Sequence, residues 1–145
     1  MRLTNIGLID FARSKIGTPY VYGCKGELLT KEKYLTLKKL YGDLVWKSDA
    51  DKIGKVCVDC SGLISWYTGR IKGSSQYKDE ADDIYAIYTI ANAPVGAAVW
   101  MKGHIGIFTG FKDGVPYYIA ADGSAYGVRE VPLSYNNFTY WFKLN

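Results

Sequence analysis

The hydrophobic pattern changes period partway along the chain, and that change constrains the fold more than any single motif. Up to about residue 91 the apolar residues recur at helical spacing. From Pro94 onward they alternate, in short β-branched or aromatic runs separated by Gly, Asp or Pro clusters. In the first part, Ile6, Leu8, Ile9, Phe11, Ala12 and Ile16 form an apolar stripe over residues 4–16, with Thr4 or Asn5 as cap and Gly17 and Pro19 as stop. Thr30 to Tyr41 predicts a second helix, Leu63 to Tyr67 a buried helix stopped by Gly69, and Asp79 to Ala91 a further helix. In the second part, Val95 to Met101, His104 to Phe111, Val115 to Ala121, Tyr126 to Val131 and Phe138 to Leu144 predict strands. Helices first and consecutive strands afterwards imply an α+β domain, with helices packed on an antiparallel sheet of about five strands. Gly17 to Gly23 reads as an extended or turn segment. Gly42 to Lys55 has no clear period and reads as an irregular decoration over the core.

Length and charge narrow the function. At 145 residues, 48% hydrophobic and 22% charged, the chain is one globular domain with room for a real core. Its net charge of +4 comes from 18 Lys and Arg against 14 Asp and Glu. The densest basic group, Lys31, Lys33, Lys38 and Lys39, falls on one solvated helix face without interleaved aromatics, so no nucleic-acid partner is expected. No run approaches the roughly 18 apolar residues of a membrane helix, so no membrane partner is expected either. The apolar stretch from Ile6 to Ile9 is cut short by Asp10, and no secretory signal is expected. The excess of tyrosine, 13 against 5 Phe, suits half-wet grooves as well as cores.

Three cysteines make a disulfide framework improbable as an organising device. Cys57-Val58-Asp59-Cys60 is nominally a C-x-x-C, but a four-ligand zinc site would have only Cys24 and His104 left to draw on, and the βαβ setting of a thioredoxin motif is missing. Neither a metal nor another cofactor is indicated. Separating the two sulfurs is more informative. Cys57 precedes the helix and reads as packing. Cys60 stands at the helix start, where free N–H groups and the dipole favour a thiolate, and its polar neighbours Asp59 and Ser61 suit an apolar burial site poorly. Gly62 lets other backbone approach closely.

His104 is the chain's single histidine. Strand alternation sends Ile105 and Ile107 to one face and His104 and Gly106 to the other, with Gly106 leaving space beside the ring. A thiol at a helix start and an imidazole on a strand are the two parts of a Cys–His nucleophilic pair. A structural histidine and a buried, inert thiol are the alternatives.

Three motifs in order resemble the NlpC/p60 family of cell-wall cysteine peptidases: Gly17-Thr18-Pro19-Tyr20-Val21-Tyr22-Gly23, Asp59-Cys60-Ser61-Gly62-Leu63-Ile64 and Gly103-His104-Ile105-Gly106-Ile107-Phe108. The likeness extends through Ala125-Tyr126-Gly127-Val128 to Phe138-Thr139-Tyr140-Trp141. It is nearest in style to phage or prophage lysins and tail-associated domains, where a lysine-rich insert, here about residues 24–56, is familiar. The resemblance implies a papain-like fold and hydrolysis of an amide bond in peptidoglycan stem peptides, the γ-D-glutamyl endopeptidase bond ahead of the muramoyl-L-alanine amidase bond. It makes Cys60 the nucleophile and His104 the general base. Tyr20 would act at the thiol and oxyanion, with backbone N–H groups near Asp59 and Cys60 beside it, and Ser61 with Asp59 in the substrate region. The family's imidazole-orienting residue aligns with Ala120, which cannot hydrogen-bond. Either the pair works as a dyad or a neighbour takes over; Asp122, two residues on, is the candidate, against a plain turn role before Gly123. The partners implied are stem peptides and a larger phage tail or lysis assembly, with synthesis in the bacterial cytoplasm and action at the wall. A non-catalytic wall-binding or tail-structural module, and acyl transfer to an acceptor other than water, are the competing readings.

Overall fold

A computed structural model describes residues 5–144. The chain runs α1 (Asn5–Ser14), β1 (Lys25–Leu28), α2 (Lys31–Tyr41), β2 (Val56–Val58), α3 (Cys60–Thr68), α4 (Ser74–Asp79), β3 (Tyr85–Ala86), β4 (Ala98–Met101), β5 (His104–Lys112), β6 (Val115–Ala121), β7 (Val128–Pro132) and β8 (Tyr140–Phe142). The proposed cap Thr4 lies outside the described residues. Thr30 caps α2 by accepting a hydrogen bond from Lys33 N at 3.0 Å. Gly69 ends α3 in the left-handed conformation, with φ 78°, where a side chain would be strained.

Six antiparallel strands form the main sheet in the order β3-β8-β4-β5-β6-β7. Strand alternation divides its side chains between two cores. On one face Ala98, Trp100, Ile105, Ile107, Ile119 and Phe142 pack with Leu8 and Ala12 of α1 and with Leu63 and Ile64 of α3. On the other, Val99, Phe108, Tyr118, Ala120 and Trp141 pack under Ile90, Leu133 and Phe138. Each large aliphatic side chain fully buried here contributes about 1.5–3 kcal/mol over its exposed state, so the helix layer is held chiefly by apolar contact.

Three expectations are corrected. Residues 79–91 do not form a helix: a short helix ends at Asp79, Tyr85 and Ala86 pair with Trp141 and Tyr140, and a 3-10 segment follows over Ile87–Asn92. Ile84, Tyr85, Ile87, Tyr88, Thr89 and Ile90 are β-branched or aromatic and lose side-chain freedom in a helix. Tyr85 gains a stacked contact with Trp141, at 4.4 Å between ring centroids, by joining the sheet. The sheet therefore has six strands, not about five, and a separate two-stranded sheet pairs β1, near the start of the anticipated insert, with β2, which runs out of its end. Nor is residues 42–55 mere decoration. Val45 is fully buried with Val21, Cys24, Leu29, Leu37 and Cys57 in a third small core.

Candidate active site

Helix α3 begins at Cys60 because Asp59 caps it. Asp59 Oδ1 accepts from Gly62 N at 2.7 Å, and Oδ2 accepts from Gly23 N at 3.1 Å, so one carboxylate fixes both the helix start and the turn after Tyr22. The close approach expected at Gly62 is present: a Cβ there would stand 2.5 Å from the Cys24 carbonyl oxygen. Cys60 is 8% exposed, and it opens on a cleft of about 340 Å³ whose lining includes Tyr22, Lys25, Tyr41, Ser61 and Gly103. Cys57 is fully buried on β2.

His104 is the first residue of β5, at the end of the sheet where α3 begins to cover it. Its Nε2 lies 2.8 Å from Asp122 Oδ1, which leaves Nδ1 as the ring nitrogen free to meet the thiol. The ring stacks on Phe138 at 5.7 Å and 15°. Burial acts to lower the imidazole pKa, but the hydrogen bonds with Asp122 and with Cys60 outweigh it and push it up to about 9. At neutral pH the ring is thus an imidazolium placed between a carboxylate and a sulfur. The space expected beside Gly106 is filled, since a Cβ there would meet Tyr118 Cδ2 at 3.0 Å and Ala120 Cβ at 3.2 Å.

The Asp122 side chain is fully inaccessible. Besides His104 it accepts from Tyr118 Oη at 2.5 Å, Arg129 Nε at 2.7 Å and Asn136 Nδ2 at 3.1 Å. Burial works to raise its pKa, but the hydrogen bonds from His104, Tyr118 and Arg129 hold it below the usual carboxylate value. Asp122 is therefore no simple turn residue. Its backbone N–H does enter the turn, donating to Gly127 O at 2.9 Å.

Tyr20 packs against the core that contains Cys60, and its backbone bridges to Val58. Burial, then the charges of Cys60 and Asp59, push its phenol well above the ordinary value, so the hydroxyl keeps its proton as a donor. The Asp59 N–H, expected near the oxyanion, is committed to Cys24 O at 2.8 Å, which leaves the Cys60 N–H as the backbone donor at the helix start. Ser61 and Asp59 meet at Lys25, whose Nζ is 2.9 Å from both Asp59 oxygens and 3.1 Å from Ser61 Oγ.

Sequence reasoning did not find Lys25, Tyr118, Arg129 or Asn136. Tyr118 carried a signal, because it shares strand parity with Ala120 and Asp122. Arg129 reaches Asp122 through the register that sets it opposite Ala120, and Asn136 from a loop; neither has a local signature. Among the described residues, no group of three or more His, Cys, Asp or Glu is arranged to hold a metal ion.

The architecture that carries this site is the NlpC/p60 fold. No family model and no curated protein matches the sequence. Solved structures match along nearly its whole length. One is the NlpC/p60 domain of the peptidoglycan hydrolase SagA, with TM-score 0.60, 19% identity, and 98% of this chain and 100% of that one covered. Another is the peptidoglycan hydrolase RipB from Mycobacterium tuberculosis, with TM-score 0.62 and 24% identity over 97% of this chain, which spans 64% of RipB's length. A third is RipD from the same organism, a non-catalytic NlpC/p60 domain protein adapted to peptidoglycan binding, with TM-score 0.61, 16% identity and full coverage of both chains. At these identities the likeness is one of fold.

Proposed function

We propose that this protein is a peptidoglycan hydrolase of the cysteine-peptidase type, with Cys60 as nucleophile, His104 as its acid–base partner and Asp122 as the group that orients the imidazole. The observation that carries the reading is the His104 ring held between Asp122 at 2.8 Å and Cys60. A buried carboxylate on one side and a helix-start thiol on the other are the two partners that an acid–base imidazole serving a sulfur nucleophile requires.

The chemistry follows from the placement. The Cys60 sulfur attacks the amide carbon, the new C–S bond pushing charge onto the oxygen. Tyr20 Oη and the Cys60 N–H would donate to that developing charge. His104 gives its proton to the amine nitrogen as the C–N bond breaks, leaving a thioester and a neutral imidazole. The imidazole then takes a proton from water, whose oxygen attacks the thioester and releases the carboxylic acid and the thiolate. Asp122 keeps the ring in orientation throughout and stays ionised. Among stem-peptide amides the γ-D-glutamyl bond is the first candidate and the muramoyl-L-alanine amide the second. The lysine-rich segment of residues 24–56 supports a phage or prophage setting, with synthesis in the cytoplasm and delivery to the wall by a lysis or tail assembly.

The likeness to RipD favours a second reading, a wall-binding module without catalysis. Digestion of purified peptidoglycan of several stem types, with Cys60→Ala in parallel and mass spectrometry of the fragments, separates the two. New termini that vanish in the variant establish the hydrolase and identify the bond. Walls left intact by wild type and variant alike, but bound by both, establish the module.

A further inference from the structure

Besides Asp122, whose side chain is inaccessible, four polar residues are buried among the described ones: Asp59, Ser61, Ser65 and Asp49. The first three belong to α3 or its cap. Asp49 belongs to neither, standing inside the segment of residues 42–55, and is fully buried. A carboxylate is not taken out of water without partners, and its partners show what it holds. Asp49 Oδ2 accepts from Trp46 N at 2.8 Å and from Ser124 Oγ at 3.1 Å, and Oδ1 from Lys52 Nζ at 2.6 Å. Lys52 Nζ in turn donates to the carbonyl oxygens of Tyr20, at 2.6 Å, and Ser124, at 3.0 Å. One ion pair therefore ties together three segments: the one that carries Tyr20, the 42–55 segment, and the turn that begins directly after Asp122.

We infer that Asp49 and Lys52 are positioning residues, a clamp by which the 42–55 segment sets Tyr20 opposite Cys60 and steadies the turn that follows Asp122. The inference rests on the hydrolase reading for its chemical meaning. Tyr20 needs such a hold. Its segment runs between Gly17 and Gly23, both at positive φ; the ends are tied to Val128 and Asp59, and the middle to β2 by Val21 N to Val58 O at 3.3 Å and Val58 N to Pro19 O at 3.0 Å. The Tyr20 carbonyl is held by Lys52 instead. A donor aimed at a developing oxyanion loses its effect with small displacements, whereas substrate binding in the cleft around Tyr22, Lys25 and Ser61 does not pass through it.

The test is a double-mutant cycle. Lys52→Met alone would strand a buried carboxylate, so the variant is Asp49→Asn with Lys52→Met, which removes both charges together and keeps an acceptor for Trp46 N. It is made in the wild-type and Tyr20→Phe backgrounds, and thermal melting confirms that each variant is folded at the assay temperature. Peptidoglycan digestion gives kcat and KM, and the rate of Cys60 alkylation by iodoacetamide, read by peptide mass mapping, serves as a second readout that needs no wall substrate. In the wild-type background kcat is expected to fall about tenfold with KM within about twofold. In the Tyr20→Phe background the same change is expected to cost less than about twofold, because the group being positioned is gone. Equal losses in both backgrounds, or no loss in the first, overturn the clamp. A wild type that digests no wall overturns the hydrolase reading instead, and the cycle is then decided on alkylation alone, by the same criterion of non-additivity.

Discussion

Asp122 Oδ1 sits 2.8 Å from His104 Nε2 although Asp122 lies one residue beyond the end of β6. The strand position that motif alignment assigns to this contact is Ala120, and Ala120 is spent on packing, fully buried against Gly106 and the second core. Moving the carboxylate two residues along keeps its parity but takes it out of the strand ladder. It is then held by side chains, those of Tyr118, Arg129 and Asn136, rather than by strand geometry. On the proposed reading, the orienting role falls to Asp122 rather than to position 120.

Asp122→Asn should lower kcat on the order of 10²-fold, through loss of ring orientation. The basic limb of the pH–rate profile, set by the imidazolium that carries a pKa of about 9, should move down toward the ordinary value of 6.5. Steady-state kinetics from pH 5 to about 10 read both effects. A variant with unchanged kcat and an unmoved basic limb would show that Asp122 is structural only.

Stability should depend on pH at both ends of the range. His104 has its pKa raised from 6.5 to about 9, so its stabilising contribution is complete below 6.5 and is lost as pH rises through about 9. Asp122 is depressed below 3.8, so its contribution is present above that value and lost as pH falls through its lower folded value. Thermal melts should therefore show Tm falling above neutral pH, less steeply in His104→Gln. A Tm that climbs steadily to about pH 10 would exclude a paired imidazolium.

The three thiols should label in a fixed order. Cys60 opens on the cleft, whereas Cys24 and Cys57 are fully buried, and the hydrogen bond with Cys57 together with burial pushes the Cys24 thiol up. Iodoacetamide at neutral pH should modify Cys60 at least about tenfold faster than the other two. His104→Ala should slow that reaction. Equal labelling of all three would mean an inert thiol.

Gly62→Ala should destabilise the protein by about 1–3 kcal/mol. The added methyl would meet the Cys24 carbonyl oxygen at 2.5 Å, and that carbonyl is held by Asp59 N, so neither side can yield without disturbing the start of α3. Urea denaturation measures the loss. A change under about 0.5 kcal/mol would show that the approach relaxes freely.

How much of this was legible in the sequence depended on whether the signal was local. Helices α1, α2 and α3 each carry their own stripe and their own stop, and all five anticipated strands lie within their predicted spans or a residue of them, because alternation is written in consecutive residues. The 79–91 stretch misled because its apolar residues satisfy helical spacing while their β-branched and aromatic character prefers the sheet edge offered by β8. Cys60, His104 and Tyr20 could be named from motifs, and Asp122 from parity with Ala120. Lys25, Lys52, Arg129 and Asn136 could not, since each reaches the site across a long sequence separation. Their roles exist only once β1–β2 pairing and the β6–β7 register are known.

The short β3 strand and the outer strand β7 have a bearing on how the molecule meets its neighbours. A bare sheet border invites a second chain to pair with it. At one border β3 offers just two residues. At the other, Val128 exchanges both its backbone bonds with Gly17 and Thr18, Pro132 has no N–H to give, and Glu130 between them carries a charge paired with Arg13. Crowding many copies onto one surface should therefore not knit them together through the borders of the six-stranded sheet, and self-association would have to use other surfaces.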